Sequence, residues 1–140
     1  MKMLVLCTGN SCRSQMAEGY LRQYADASVE VYSAGIEAHG LNPNAVASMA
    51  RDGVDISGQT STLVDEYAAM VFDLVLTVCD NAQENCPVFP SKAGATTVRL
   101  HQSFPDPAKS KGTSEEIAEA FDMVRDQIRD YCREIIYNPS

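Results

Sequence analysis

Met3-Leu4-Val5-Leu6-Cys7-Thr8-Gly9-Asn10-Ser11-Cys12-Arg13-Ser14 changes character twice within a short span. It opens on an apolar run of strand length, and residues 2–6 read as a buried strand. A small, polar, Gly-containing stretch follows. From Ser14 the apolar residues Met16, Tyr20 and Tyr24 recur every four positions, which is a helical spacing. Strand, loop and helix in direct succession make the first unit of a parallel α/β fold.

The same alternation continues down the chain. Val29 to Ser33 reads as a second strand. Asn42-Pro43 marks a helix start, with Asn as N-cap and Pro in the first turn, and that helix carries Val46, Met49 and Ala50 toward a stop at Gly53. A helix is predicted over 63–70, a central strand within 71–78 and a shorter strand over 96–100. The segments 89–95 and 104–112 are loop-like. The last helix opens on Thr113 and Glu116, at the spacing of a capping box. Its apolar stripe is Ile117, Phe121, Val124, Ile128, Tyr131 and Ile135, the pattern of a core-facing helix. The expectation is an α/β sandwich with a mostly parallel sheet, formed by residues 1–140 as one domain. Ligands in such folds bind beyond the carboxyl ends of the strands. The loops beginning at Cys7, Cys79 and His101 each follow a predicted strand and can share one site.

Composition excludes several classes. A net charge of −8 argues against non-specific nucleic-acid binding, which depends on Lys and Arg neutralising phosphates. No apolar run reaches the roughly 20 residues that span a bilayer, and no signal-peptide cleavage region follows the first strand, so a cytoplasmic protein with no membrane partner is expected. The five cysteines, Cys7, Cys12, Cys79, Cys86 and Cys132, are an odd number and read as reduced thiols. Their spacings lack the tight pairs of structural zinc sites, and no metal is expected.

Residues Cys7 to Ser14 carry the chemistry. Gly9 and Asn10 tolerate left-handed backbone angles, which let successive N–H groups point inward as an anion nest. Thr8, Gly9, Asn10, Ser11, Cys12, Arg13 and Ser14 are therefore the candidate oxyanion-binding set. Arg13 offers a planar fork to two oxygens of a tetrahedral anion, and the following helix adds its positive end. These features favour a thiolate at Cys7, and Ser14 is placed to donate to it. Cys7 is the candidate nucleophile, while Cys12 reads as loop packing and Cys132 as inert.

CTGNSCRSQMAEG (7–19), followed by Ser33-Ala34-Gly35, resembles the low-molecular-weight protein tyrosine phosphatase superfamily. With YSAGIEAHGLNPNAV (32–46) and VDISGQTS (54–61), the chain is more similar to the thioredoxin-coupled arsenate reductases of that superfamily. The resemblance implies a three-layer sandwich of the phosphotyrosine phosphatase I type, with a four-stranded parallel sheet flanked by helices. It also implies a relay in which Cys7 attacks arsenate, Cys79 attacks Cys7, and Cys86 closes a Cys79–Cys86 disulfide that thioredoxin reduces. Asp106, before Pro107, is then the acid for the leaving oxygen. Ala108 follows where tyrosine phosphatases of the family carry an aromatic residue, which favours a small inorganic substrate. The residues between Tyr32 and Leu41, with Gly35, Glu37, His39 and Gly40, offer no apolar wall for a tyrosine ring.

If the segment between Cys79 and Cys86 is helical when reduced, seven positions rise about 10.5 Å. A disulfide needs Cα atoms about 4.4–6.8 Å apart. That helix must therefore unwind, and Asp80, Asn81, Asn85 and Pro87 suit a marginal one.

No organic cofactor is expected, only thioredoxin as external reductant, and the chain is expected to be monomeric. Some relatives bind a monovalent cation, and Asn10, Glu18 and Ser33 match part of that set. Thr62 stands where a carboxylate is expected. Asn10 and Ser33 can instead hydrogen-bond each other and hold the loop open. His39 and His101 lie alone in sequence, with no ligand spacing. Two other functions fit parts of the pattern: a phosphatase of the same fold whose distal cysteines protect Cys7, and a non-enzymatic thiol-based arsenite or metal sensor. A sensor would not require Arg13 or the Gly-Asn nest.

Overall fold

The computed structural model describes residues 1–86, 89–90 and 97–137. Pro87, residues 91–95 of the predicted loop and Thr96 at the head of the predicted last strand lie outside the described residues. The elements are β1 (Lys2–Cys7), α1 (Arg13–Tyr24), β2 (Glu30–Gly35), α2 (Pro43–Arg51), β3 (Leu74–Thr77), α3 (Asp80–Glu84), β4 (Val98–His101) and α4 (Ser114–Tyr137). Single 3-10 turns cover Val64–Tyr67 and Pro107–Lys109.

The four strands are all parallel, in the order β2-β1-β3-β4. The apolar run of β1 is buried from Met3 to Cys7, as an inner strand covered on both faces requires. Register places Cys7 beside Gly35, Leu6 beside Thr77, and Thr77 beside His101, so the four carboxyl ends finish together. The chain winds outward from β1 to β2, then returns past β1 to β3 and β4. That reversal opens a crevice between the loops that follow β1 and β3.

Helix α1 buries Met16, Ala17, Tyr20 and Leu21 and packs on β1, β2 and α4. Each large apolar side chain so placed contributes about 1.5–3 kcal/mol. A Cβ on Gly19 would stand 2.6 Å from Ile56 Cγ2 and 2.9 Å from Met49 Cε, so glycine permits the close approach here. By strand alternation Tyr32 faces away from Ser33 and α1. There its ring meets Tyr67 and Phe72 edge to face, and Phe72 meets Phe89.

The helix ends follow local chemistry. Asn42 Oδ1 accepts from Asn44 N at 2.8 Å, with Pro43 opening α2. Gly53, at φ +78°, closes that helix. Its N–H donates to Ala50 O and that of Val54 to Met49 O, the paired bonds of a Schellman end. Thr113 and Glu116 cap each other reciprocally at the start of α4. The α4 stripe is centred on Phe121, Val124, Ile128 and Cys132, with Ile117, Tyr131 and Ile135 half-buried at its margins.

The predicted helix over 63–70 does not form. Gly35 pairs with Leu63 in an isolated bridge and its N–H donates to Thr62 O, which holds Leu63 extended. One 3-10 turn follows, with Val64 as its buried residue. The predicted strand within 71–78 is likewise shorter, Leu74–Thr77.

Candidate active site

The loop after β1 is shaped by bonds on its outer side. Ile36 N donates to Cys7 O at 3.2 Å, Glu37 N to Thr8 O at 2.8 Å, and His39 N to Gly9 O at 2.9 Å. Gln15 Nε2 donates to Asn10 O at 3.0 Å and Asn42 N to Ser11 O at 3.1 Å. In a planar trans peptide the N–H opposes the C=O. Tying these carbonyls outward therefore turns the amides of residues 8–12 toward the inside of the loop. Helix α1 follows with no side-chain cap at Cys12 and no acidic residue in its first turn. Its orphan N–H groups and positive end are left for an anion.

Asn10 holds this shape. It is fully buried and sits at φ 47°. Its Nδ2 donates to Ser14 Oγ at 2.8 Å and to Ser33 Oγ at 3.0 Å, and its Oδ1 accepts from Thr62 N at 2.8 Å. The bond expected between Asn10 and Ser33 is present. Ser14 Oγ in turn donates to Cys7 Sγ at 3.3 Å. A Cβ on Gly35 would stand 2.8 Å from Asn10 N and 2.9 Å from Thr8 O, so that glycine lets β2 close against the loop.

Gly9 differs from the sequence expectation. Asn10 alone within the loop takes a left-handed angle. Gly9 is needed because a Cβ there would overlap the His39 ring, closest to Nδ1 and 2.9 Å from Cγ.

A cavity of about 260 Å³ opens over the loop, with Cys7, Arg13, His39, Asp106, Ala108 and Lys109 in its wall. Arg13 Nη1 donates to Phe104 O at 3.1 Å, and Nη2 stands 3.7 Å from Asp106 Oδ2. Asp106 Oδ1 caps the Pro107–Lys109 turn through Ala108 N at 3.0 Å. The fold thus brings Cys7, Arg13 and Asp106 to one cavity from sites about a hundred residues apart in the chain. Ala108 brings only a methyl group to the wall beside Asp106. His39 and Lys109 also belong to this wall and went unassigned from sequence.

None of the five cysteines, all among the described residues, is in a disulfide. Cys79 is the N-cap of α3. Its Sγ accepts from Ala82 N at 3.4 Å and lies 3.3 Å from Thr8 Oγ1, which also accepts from Asn81 Nδ2 at 3.1 Å. Cys86 follows the C-cap of α3, half-buried, with Arg99 Nη1 3.4 Å from its Sγ. It borders a second cavity of about 250 Å³ shared with Gln83, Arg99 and His101. His101 bonds Thr77 Oγ1 at 2.7 Å and Asp80 Oδ1 at 3.0 Å, spanning β3 and α3. Cys79 thus adjoins the anion loop, while Cys86 stands past the far end of α3. Burial pushes the Cys12 thiol up to about 11 against the lowering Ser11 bond, and burial pushes Cys132 up to about 12. Both stay protonated near neutral pH. Cys132 Sγ faces Ala17 O on α1, away from the loop.

The residues that match the cation set of some relatives are engaged by protein donors here. Ser33 Oγ donates to Glu18 Oε1 at 2.5 Å and Arg22 Nη2 stands 2.8 Å from Glu18 Oε2, so protein donors engage both carboxylate oxygens. Burial raises the Glu18 pKa against the lowering effects of Ser33 and Arg22. Thr62 contributes its backbone N–H to Asn10 rather than an oxygen. Among the described residues no cluster of three His, Cys, Asp or Glu side chains is arranged to hold a metal, and no helix is long and apolar enough to cross a membrane.

A cysteine cradled by inward amides, an arginine and a helix start, at the end of β1 in a β2-β1-β3-β4 parallel sheet, defines a class. The chain belongs to the low molecular weight phosphotyrosine protein phosphatase family, whose profile matches residues 2–138. Within that family its relatives carry a narrower name. It is 51% identical over 129 residues to the arsenate reductase of Bacillus subtilis (strain 168), covering 92% of this chain and 90% of that one. It is 53% identical over 123 residues to the arsenate reductase of Halalkalibacterium halodurans, covering 88% and 86%. Its structure is similar to that of an arsenate reductase in the oxidized state, at TM-score 0.77 and 30% identity, covering 99% and 98% of the two chains. An arsenate reductase in the phosphate binding state matches at TM-score 0.76 with the same identity and coverage.

Proposed function

We propose that this protein reduces arsenate to arsenite by a relay through Cys7, Cys79 and Cys86, with thioredoxin as the external reductant. The observation that carries the reading is the position of Cys79, 3.3 Å from Thr8 Oγ1, at the lip of the loop that holds Cys7. Cleaving a phosphate ester calls on Cys7, Arg13 and an acid, whereas releasing arsenite calls on a second thiol at that place. The curated arsenate reductases at about half identity support the substrate.

The chemistry runs through ordinary steps. Arsenate sits in the nest of amides, with Arg13 on two of its oxygens. The Cys7 thiolate bonds to arsenic, and hydroxide leaves as water with the proton from Asp106. Cys79 then attacks the Cys7 sulfur. The electron pair of the sulfur–arsenic bond stays on arsenic, which falls from As(V) to As(III) and departs as arsenite. Cys86 attacks Cys79, releasing Cys7 and leaving a Cys79–Cys86 disulfide. Helix α3 lies between these two thiols and must open for the bond to form. Its five residues make it weak enough to do so. The half-buried Cys86 then presents the disulfide to a dithiol reductant.

Thiol mapping after a single arsenate turnover tests this. The expected product is a Cys79–Cys86 bridge with free Cys7. In Cys86→Ser the reaction stops at a Cys7–Cys79 bridge, and unchanged multiple turnover in that variant would sink the relay. The family match favours a second reading, phosphatase activity at the same cavity. Arsenate turnover much faster than hydrolysis of an aryl phosphate separates the two.

A further inference from the structure

His39 is absent from the chemistry above, yet its ring stands in the wall of the anion cavity. Its place is built from several directions. The backbone N–H of His39 donates to Gly9 O at 2.9 Å, which clamps the residue to the loop. Gly9 has no Cβ, and any side chain there would collide with the imidazole. The ring nitrogen Nε2 lies 2.8 Å from Glu37 Oε2. A carboxylate only accepts, so Nε2 carries a proton in this arrangement. Nδ1, the nitrogen held against Gly9, is the atom left over and has no partner among the described residues.

We infer that His39 is a proton-dependent contact for the oxyanion, in addition to the amide nest and Arg13. In the neutral ring Nδ1 bears a lone pair and disfavours an anionic oxygen. When the ring gains a second proton, Nδ1 becomes a cationic donor beside the cavity. Binding of the anion and protonation of His39 then favour each other. Glu37 steadies the imidazolium. The other ionisable groups facing this space are Cys7, Cys12, Arg13, Asp106 and Lys109. His39 is the imidazole of that wall, and an imidazole gains a donor at its second nitrogen on protonation. This inference rests on the reading of the cavity as an oxyanion site.

Calorimetric titration of the reduced protein with inorganic phosphate, at about pH 6 and about pH 8, tests it. His39→Gln keeps a polar side chain of similar reach but cannot become a cation. It is expected to weaken phosphate binding about tenfold at the lower pH and less than about threefold at the higher one. Comparison with wild type at each pH cancels the ionisation of phosphate itself. His39→Lys, positive at both values, is expected to bind with a flatter pH dependence than wild type. Equal loss at both pH values in His39→Gln, or no loss at all, would overturn the inference, since a ring that only packs on Gly9 gives the anion no pH-dependent contact. If wild type itself binds no phosphate and turns over no arsenate, the oxyanion site fails and this contact with it. That failure is visible in the wild-type protein alone.

Discussion

Cys79 Sγ and Thr8 Oγ1 stand 3.3 Å apart, which joins the second residue after β3 to the first residue after Cys7. Thr8 thereby places Cys79 against the loop that begins at Cys7. The same hydroxyl accepts from Asn81 Nδ2, so it is fixed by α3 as well.

Thr8→Val removes that bridge and keeps the side-chain shape. The expected effect is a fall of about tenfold in the rate at which Cys79 is consumed during a single arsenate turnover, with phosphate affinity within about twofold. Rapid quench with thiol labelling measures the first quantity and calorimetry the second. An unchanged rate of Cys79 loss would show that the hydroxyl does not assist the transfer.

Arg13→Lys keeps the charge and loses the fork. Arg13 is held from outside by Phe104 O, so its guanidinium plane is set before substrate arrives. A lysine cannot reproduce two parallel donors, and kcat/KM for arsenate is expected to drop about a hundredfold, equivalent to about 2.7 kcal/mol. A drop below about threefold would place the anion's main support in the amides alone.

Asn10 tests the loop as a structure. Asn10→Ala removes bonds to Ser14, Ser33 and Thr62 N and forces a Cβ residue with no compensating bond into φ 47°. A loss of roughly 2–4 kcal/mol is expected in urea unfolding. Asn10→Gly relieves the backbone angle while leaving the same bonds unmade, and should recover about 1 kcal/mol of that loss. Equal stability of the two variants would mean that the angle carries no strain.

The buried Tyr20 hydroxyl donates to Asp52 Oδ2 at 2.6 Å, tying α1 to the end of α2. This bond, with Arg129 and Arg125, holds the Asp52 pKa below its ordinary 3.8 against the effect of burial. A carboxylate depressed in the folded state adds stability above its unfolded pKa and loses it as pH falls through the folded one. Tyr20→Phe is therefore expected to lower stability by about 1 kcal/mol at about pH 7, with a gap that narrows once the pH falls below the ordinary 3.8. Urea melts at both pH values measure it. A constant gap would mean that lost packing, rather than the Asp52 bond, sets the effect.

Legibility in the sequence followed the range of the physics. The buried β1, the Asn42-Pro43 start of α2, its Gly53 end and the Thr113–Glu116 box on α4 are local patterns, and each forms as read. A helix was also expected over 63–70, but pairing of Leu63 with Gly35 holds its start extended. That bond joins residues far apart in the chain, and no local propensity encodes it. Gly9 is the subtler case. Glycine was legible, but its reason was not, because the ring that needs the space belongs to a residue thirty positions later.

The sequence alone determined the parallel α/β class, Cys7 at a strand end, Arg13 at a helix start and the pair Cys79 and Cys86, because these depend on spacing within one segment. Only the tertiary structure decided that Asn10 is the buried hub of the loop, that Thr8 touches Cys79, and that His39 and Lys109 share the cavity with Cys7. Those relations arise where the ends of β1, β2 and β3 come into register. Sheet pairing, rather than residue order, sets which side chains meet there.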